Sequence, residues 1–280
     1  MRICTLVTDT EKPEFKYLQV SNKTPWPIEN VGRSWDGWNG RMMAYLAAAK
    51  QAAKEGLDMM AFIDGYDVLM HPDAETRLLE LRKRLGLHDI IVGAEKFLSA
   101  KYTDISEYHK SMPPELVNVM NITDERWAQM GVIVGKPAAL VEMYEWILKN
   151  YRADIDNNVS DDQTGLGAYL NHVKWPKVSL DVANELVTNV WVHPWKASHA
   201  YNFTSPQDYK SAFIHFPGTF NKIGLSYQFN EAIHEFAGVR AGLLNSRNVS
   251  GLVALCGGLL VLLALRCICP AVTRNHQTHL

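Results

Sequence analysis

The order of apolar and polar positions along the chain predicts alternating strands and helices. Ile3 to Val7 alternates and reads as a first strand. The stretch that follows contains Pro13, Pro25 and Pro27 and reads as irregular, leading into the aromatic, Gly-rich loop Trp35-Asp36-Gly37-Trp38-Asn39-Gly40. From Arg41 to Glu55, apolar Met42, Leu46, Ala49 and Ala53 recur at steps of a helix, and Gly56 supplies its stop. Met59 to Ile63 is a short apolar run ending at Asp64, the pattern of a buried parallel strand entering a loop. Asp73 caps a helix that runs to Leu85, and Gly86 ends it. Asp89 to Ala94, Gly131 to Gly135, Val178 to Leu180 and Ala212 to His215 read as further strands, with a helix from Ala138 to Asn150. Residues 99 to 128 are polar and Pro-containing, and are expected to run over the surface. Such alternation predicts an α/β fold with a parallel or mixed sheet covered by helices on both faces, its ligands lying beyond the C-terminal ends of the strands.

One segment breaks this pattern. Val249 to Leu265 carries no charge and has no polar face, which sets it apart from a core helix. It just reaches the roughly 17-residue lower limit for a bilayer span. The expected organisation is a catalytic domain over 1–236, a linker over 237–248, a single transmembrane anchor over 249–270 and a short tail over 271–280. Arg240 and Arg247 before the span and Arg266 and Arg274 after it give no orientation by charge. The N-terminus alternates and carries Asp9, unlike a signal peptide. The simplest topology therefore has the domain in the cytosol, with the lipid bilayer as a partner.

Charge and cysteine usage narrow the function. With 28 basic and 30 acidic residues the net charge is −2, which disfavours nucleic acid as a partner. Before residue 256 the only cysteine is Cys4, so the globular part has no pair to oxidise and fits a reducing compartment. The Asn-x-Ser/Thr triplets at Asn22, Asn121, Asn158, Asn202 and Asn248 would matter only in a lumen.

Three constellations can carry chemistry. In Phe62-Ile63-Asp64-Gly65-Tyr66-Asp67-Val68-Leu69 an apolar strand delivers two carboxylates into one turn. Two hard oxygen ligands suit Mg²⁺ or Mn²⁺, which take phosphate oxygens at their remaining positions; an Asp-Gly pair is also an ordinary turn signal. Ser160-Asp161-Asp162-Gln163 opens a helix, where adjacent acids either cap it or turn one carboxylate into a pocket. There it would act as a base toward an acceptor hydroxyl or stabilise positive charge at a sugar carbon. Ala212-Phe213-Ile214-His215-Phe216-Pro217-Gly218 ends a strand on a histidine, a structural residue by itself and a third metal ligand if it meets the two acids. The chain has no Gly-x-Ser-x-Gly elbow, phosphate loop of the Walker type or His-Glu-x-x-His. His193 and His199 lack companions for a zinc set and read as packing.

Taken in order, these motifs resemble the glycosyltransferase domain of the procollagen lysyl hydroxylase and collagen glucosyltransferase family, of the GT-A type. Leu6-Val7-Thr8 is similar to its Val-x-Thr, Asp64-Gly65-Tyr66-Asp67-Val68-Leu69 to its Asp-Ser-Tyr-Asp-Val-Leu, and Ala94-Glu95 to its Ala-Glu. Gly131 to Gly135 is similar to its Gly-Phe-Ile-Gly, Asp161-Asp162-Gln163 to its acidic run before Gln, and His215-Phe216-Pro217-Gly218 to its His-Gly-x-Gly. The resemblance implies a UDP-sugar donor and a hydroxyl acceptor on a glycan or protein. Asp64, Asp67 and His215 would hold Mn²⁺ (or Mg²⁺) and Tyr66 would stack on uracil. Val7 and Thr8 would line the nucleoside pocket, Arg41 and Gly218 would lie near the phosphates, and Asp161 and Asp162 would face sugar and acceptor. Gly65 stands where the family has serine, a change of little expected consequence because that residue is no ligand. The collagen acceptor is not implied, since the hydroxylase domains are absent. The rival reading is a membrane-tethered pseudoenzyme that binds a sugar nucleotide or glycan without turnover.

Overall fold

The computed structural model describes residues 1–84, 88–96, 104–156, 161–190 and 209–216, without side chains at Pro13 and 151–156. The chain divides into two compact units, Met1–Ala237 and Gly238–Leu280, and every described residue lies in the first. Among the described residues no helix is long and apolar enough to cross a membrane; the expected anchor at 249–270, its linker and tail, Gly218, and His193 and His199 all lie outside them.

Six strands form the main sheet: β1 (Arg2–Thr5), β2 (Ile28–Asn30), β3 (Met60–Ile63), β5 (Ile90–Glu95), β6 (Trp127–Gly135) and β7 (Val178–Asp181). Their spatial order is β2-β1-β3-β6-β5-β7. The pairs β1–β2, β1–β3 and β5–β7 are parallel, and only β6 runs against its neighbours β3 and β5. The sheet is thus mixed and mostly parallel, as the alternation of elements predicts. A second sheet of three strands, ordered β4-β9-β8, is built from β4 (Val68–Met70), β8 (Val187–Asn189) and β9 (Phe213–His215).

Neighbouring strand residues face opposite layers, and both layers are apolar. Cys4, Met60, Phe62, Ile90, Val92 and Ile133 pack on one face with Met42 and Tyr45 of α2 (Gly37–Lys54), Leu140 and Tyr144 of α6 (Pro137–Asp156), and Leu166 and Tyr169 of α7 (Asp162–Val173). Phe62 stacks on Tyr45 with ring centroids 4.3 Å apart and meets Tyr144 edge-on at 5.5 Å. Ile3, Ala61, Ile63, Ile91, Val132 and Val134 point the other way, onto Phe15 and Leu18 of α1 (Pro13–Ser21), Leu78 and Leu81 of α3 (Ala74–Arg84), and the second sheet. Strands buried on both faces explain why their sequences read as continuous apolar runs.

The structure corrects the sequence reading in three places. Pro13 opens α1 at its first turn, where a missing N–H costs nothing, so the stretch after β1 is partly helical. Helix α2 begins at Gly37, four residues before the expected Arg41, and carries Arg41 on its buried side. Within residues 99 to 128 lie α4 (Ser106–Ser111) and α5 (Pro114–Thr123). This excursion is anchored by Tyr108, whose buried hydroxyl donates to the Val178 carbonyl at 2.8 Å and accepts from the Leu180 N–H at 2.9 Å.

Candidate metal centre

Asp64 follows directly on β3, Asp67 precedes β4, and His215 ends β9. The antiparallel pairing of β4 with β9 sets Val68 opposite His215, and the Phe216 N–H donates to the Asp67 carbonyl at 2.8 Å. That ladder brings a residue more than a hundred positions away to the two acids. One ligand atom from each of Asp64, Asp67 and His215 lies within 4.8 Å of the others. His215 Nε2 stands 3.7 Å from Asp64 Oδ2 and 3.6 Å from Asp67 Oδ1. The imidazole is buried, whereas the two carboxylates are 26% and 36% exposed, so the open side of the cluster is reachable from solvent. Burial pulls the His215 pKa down, but the negative charges of Asp67, Asp64 and Glu95 outweigh it and raise the pKa.

Strand β6 makes room for this cluster. Its register against β5 shifts between Val92 and Gly93, where the partner jumps from Ile133 to Gln129, so Met130 to Val132 bulge away from β5. The Gly131 carbonyl within the bulge accepts the Asp64 N–H at 2.8 Å. A Cβ on Gly131 would lie 2.3 Å from Gln129 Nε2, 2.7 Å from His215 Cε1 and 2.9 Å from Asp64 Oδ2. The glycine is required because the ligands occupy the space a side chain would need. Two carboxylates and one imidazole form a donor set suited to Mn²⁺ or Mg²⁺, and the side-chain-free floor under them fits an ion held at the open side.

Arg41 reaches the same cluster from α2. Its guanidinium pairs with Asp64 Oδ1, lies 3.6 Å from Asp162 Oδ2 and donates to the Met130 carbonyl at 3.4 Å. The rings of Trp38 and Tyr45 flank it at 5.8 and 5.3 Å. One oxygen of Asp64 therefore faces Arg41 and the other faces His215.

The acidic pair at the start of α7 separates into two roles. Asp161 is the helix N-cap: its Oδ1 accepts from the Thr164 N–H at 2.9 Å and from the Thr164 hydroxyl at 3.0 Å. Asp162 is buried and turns to Arg41; burial pushes its carboxyl up to about 6 against the pull of the Arg41 charge. The neighbouring Gln163 amide donates to Glu95 at the end of β5.

Tyr66 and the residues after β1 also meet. The Tyr66 hydroxyl accepts the Asp9 N–H at 2.8 Å and lies 3.3 Å from the Thr8 hydroxyl, while Lys12 Nζ stands 4.6 Å over its ring. Val7 is buried, with both its N–H and its carbonyl held by the Asn30 amide at 3.0 and 2.9 Å. Gly65 is not an indifferent replacement for serine: a Cβ there would lie 2.0 Å from Val7 Cγ1 and 2.7 Å from Thr5 Oγ1.

Neither Gln129 nor Asn189 is among the site residues expected from sequence, yet both contact the His215 ring. Gln129 sits just ahead of the bulge, and Asn189 ends β8 beside His215 in the parallel pair β8–β9. No local sequence signal marks their contact with His215, because strand pairing alone makes it.

No family model matches the chain, and no curated protein does. Among solved structures it is similar to a glycosyltransferase involved in the glycosylation of the major capsid of PBCV-1, with a TM-score of 0.52 and 12% identity, covering 82% of this chain and 98% of that one. At that identity the likeness is one of fold. The chain shares the fold of that glycosyltransferase, and its own Asp64, Asp67, His215 cluster is a candidate metal site.

Proposed function

We propose that this protein is a metal-dependent glycosyltransferase that moves a hexose or pentose from a UDP-sugar to a hydroxyl acceptor on a glycan or protein. The observation that carries the proposal is the convergence of Asp64, Asp67 and His215 within 4.8 Å at the strand ends, with buried Asp162 linked to them through Arg41. Asp64, Asp67 and His215 hold Mn²⁺ or Mg²⁺. When bound, the ion takes up the negative charge that develops on the departing diphosphate. Tyr66 stacks on the uracil, and Val7 and Thr8 line the nucleoside pocket. Arg41 fixes Asp64 and Asp162 relative to each other rather than meeting phosphate through a mobile tip. Asp162 faces the sugar and acceptor, as a base toward the acceptor hydroxyl or as a negative charge beside the sugar carbon. The role assigned to Asp161 is the helix cap. Kinship with the collagen glucosyltransferase family rests on the order of the motifs, and the anchoring of a cytosolic domain by 249–270 rests on the apolar sequence there.

The test is release of UDP from a panel of UDP-sugars by the full-length protein, with Mn²⁺ or with EDTA, beside Asp67→Ala. Metal-dependent release from one donor, lost in the variant, supports the transferase. Metal-dependent nucleotide binding without release would leave the pseudoenzyme, and neither would sink both readings.

A further inference from the structure

His215 can ligate a metal through Nε2 only if its proton sits on Nδ1. Two buried amides compete for that nitrogen. Asn189 Oδ1 lies 2.7 Å from Nδ1, and Gln129 Nε2 lies 2.7 Å from Nδ1 and 3.5 Å from Nε2. The two contacts are incompatible for a neutral ring: accepting from Gln129 would force the proton onto Nε2 and close the ligand position, whereas donating to Asn189 leaves the Nε2 lone pair facing Asp64 and Asp67.

The anchoring of each amide decides between them. The Asn189 Nδ2 donates to the carbonyl of Ala94 at 2.6 Å, so its Oδ1 is held toward His215 and cannot exchange places with the nitrogen without breaking that bond. The Gln129 Oε1 is buried without a hydrogen-bond partner, so nothing fixes which end of that amide faces the ring. We propose that Asn189 is the positioning residue of the metal centre, holding His215 as the Nδ1–H form so that Nε2 is the ligand. Gln129 fills space beside the ring and does not select its proton. The link from Ala94 through Asn189 to His215 ties the end of β5 to the second sheet, so the ligand's orientation is set by backbone that carries no ligand itself. A partner of this kind on a ligating histidine is worth roughly 10- to 100-fold in metal affinity.

This inference rests on the metal site proposed above, and it is tested without turnover. Mn²⁺ affinity of the full-length protein is measured by calorimetry for wild type, Asn189→Leu, Asn189→Asp and Gln129→Leu, with thermal unfolding of each. Asn189→Leu should bind Mn²⁺ 10- to 100-fold more weakly, Asn189→Asp, which keeps an acceptor at Nδ1 but gives up the donor to the Ala94 carbonyl, should lose less than Asn189→Leu, and Gln129→Leu should stay within a few-fold of wild type. The imidazole ¹⁵N signals of the Mg²⁺-loaded wild type give a second reading that needs no variant: Nδ1 should carry the proton. An Nδ1 without a proton, or a Gln129→Leu loss that Asn189→Leu does not show, overturns the inference. Wild type that fails to bind Mn²⁺ at all removes the metal centre instead, and Mn²⁺ binding without UDP release removes only the transferase reading.

Discussion

Gly131→Ala tests the floor of the candidate metal centre with a single methyl group. The backbone at this position lies within strand β6 and needs no left-handed conformation, so alanine is admitted by the chain and refused only by its neighbours. Ordinary contact begins at 3.4 Å, and the added Cβ would lie at 2.7 Å from His215 Cε1 and 2.9 Å from Asp64 Oδ2. Relieving both contacts moves the ring by about 0.7 Å and the carboxylate by about 0.5 Å, against the roughly 0.2 Å that metal–ligand distances tolerate. Gln129 can swing aside more cheaply, but His215 is held by Asn189 and Asp64 by Arg41. The variant should therefore fold, lose about 1–3 kcal/mol of stability through overpacking, and bind Mn²⁺ at least tenfold more weakly. Calorimetric titration with Mn²⁺ and thermal unfolding of the same sample read the two effects separately. Unchanged Mn²⁺ affinity in a folded Gly131→Ala protein would refute the claim that these residues hold the ion where the structure places their ligand atoms.

Three further outcomes are expected. Gly65→Ser should destabilise the protein by about 1–3 kcal/mol because its Cβ meets Val7 and Thr5, and Val7→Ala in the same chain should recover part of that loss in chemical denaturation. Asp161→Ala should cost about 1 kcal/mol as a lost cap while leaving UDP release per folded molecule near wild type; Asp162→Asn should abolish release, and equal loss of release in both would reverse the roles assigned here. Burial of Glu125, opposed by its hydrogen bond from Asn184, pushes its pKa from 4.5 up to about 7. Between those values the folded protein holds a proton that the unfolded chain has lost, so this group's stabilisation is full below about pH 4.5 and falls as pH rises to 7. Glu125→Gln should flatten that part of the melting-temperature profile, and an unaltered slope would show that the group does not titrate there.

The acids were legible because their partner is local: Asp64 and Asp67 share one turn after an apolar run, and that run has the signature of a buried strand. His215 stood out only as a strand end, since the β4–β9 ladder that joins it to Asp67 leaves no mark in sequence spacing. The same limit hid Asn189, whose importance comes from lying between β5 and β9. It also hid the pairing of Arg41 with Asp162, residues that meet only once α2 and α7 pack on one face. Helix α1 was missed for a different reason: proline breaks a helix interior but suits a first turn, and the local pattern does not separate the two. The reversed direction of β6 was invisible because a strand buried on both faces is equally apolar whichever way it runs.

That reversal has a topological consequence. Adjacent antiparallel strands can be joined by a turn of a few residues, yet β5 and β6 are separated by an excursion from Lys96 to Arg126 that contains α4 and α5. The excursion leaves and re-enters the sheet at one rim, the rim at which Glu95 meets Gln163 beside the candidate metal centre. It is therefore an insertion within a hairpin rather than a crossover needed to thread the sheet. Apart from the core side chains such as Tyr108 that anchor it, changes in its length leave the registers of β3, β4 and β9 beside Asp64, Asp67 and His215 unaltered.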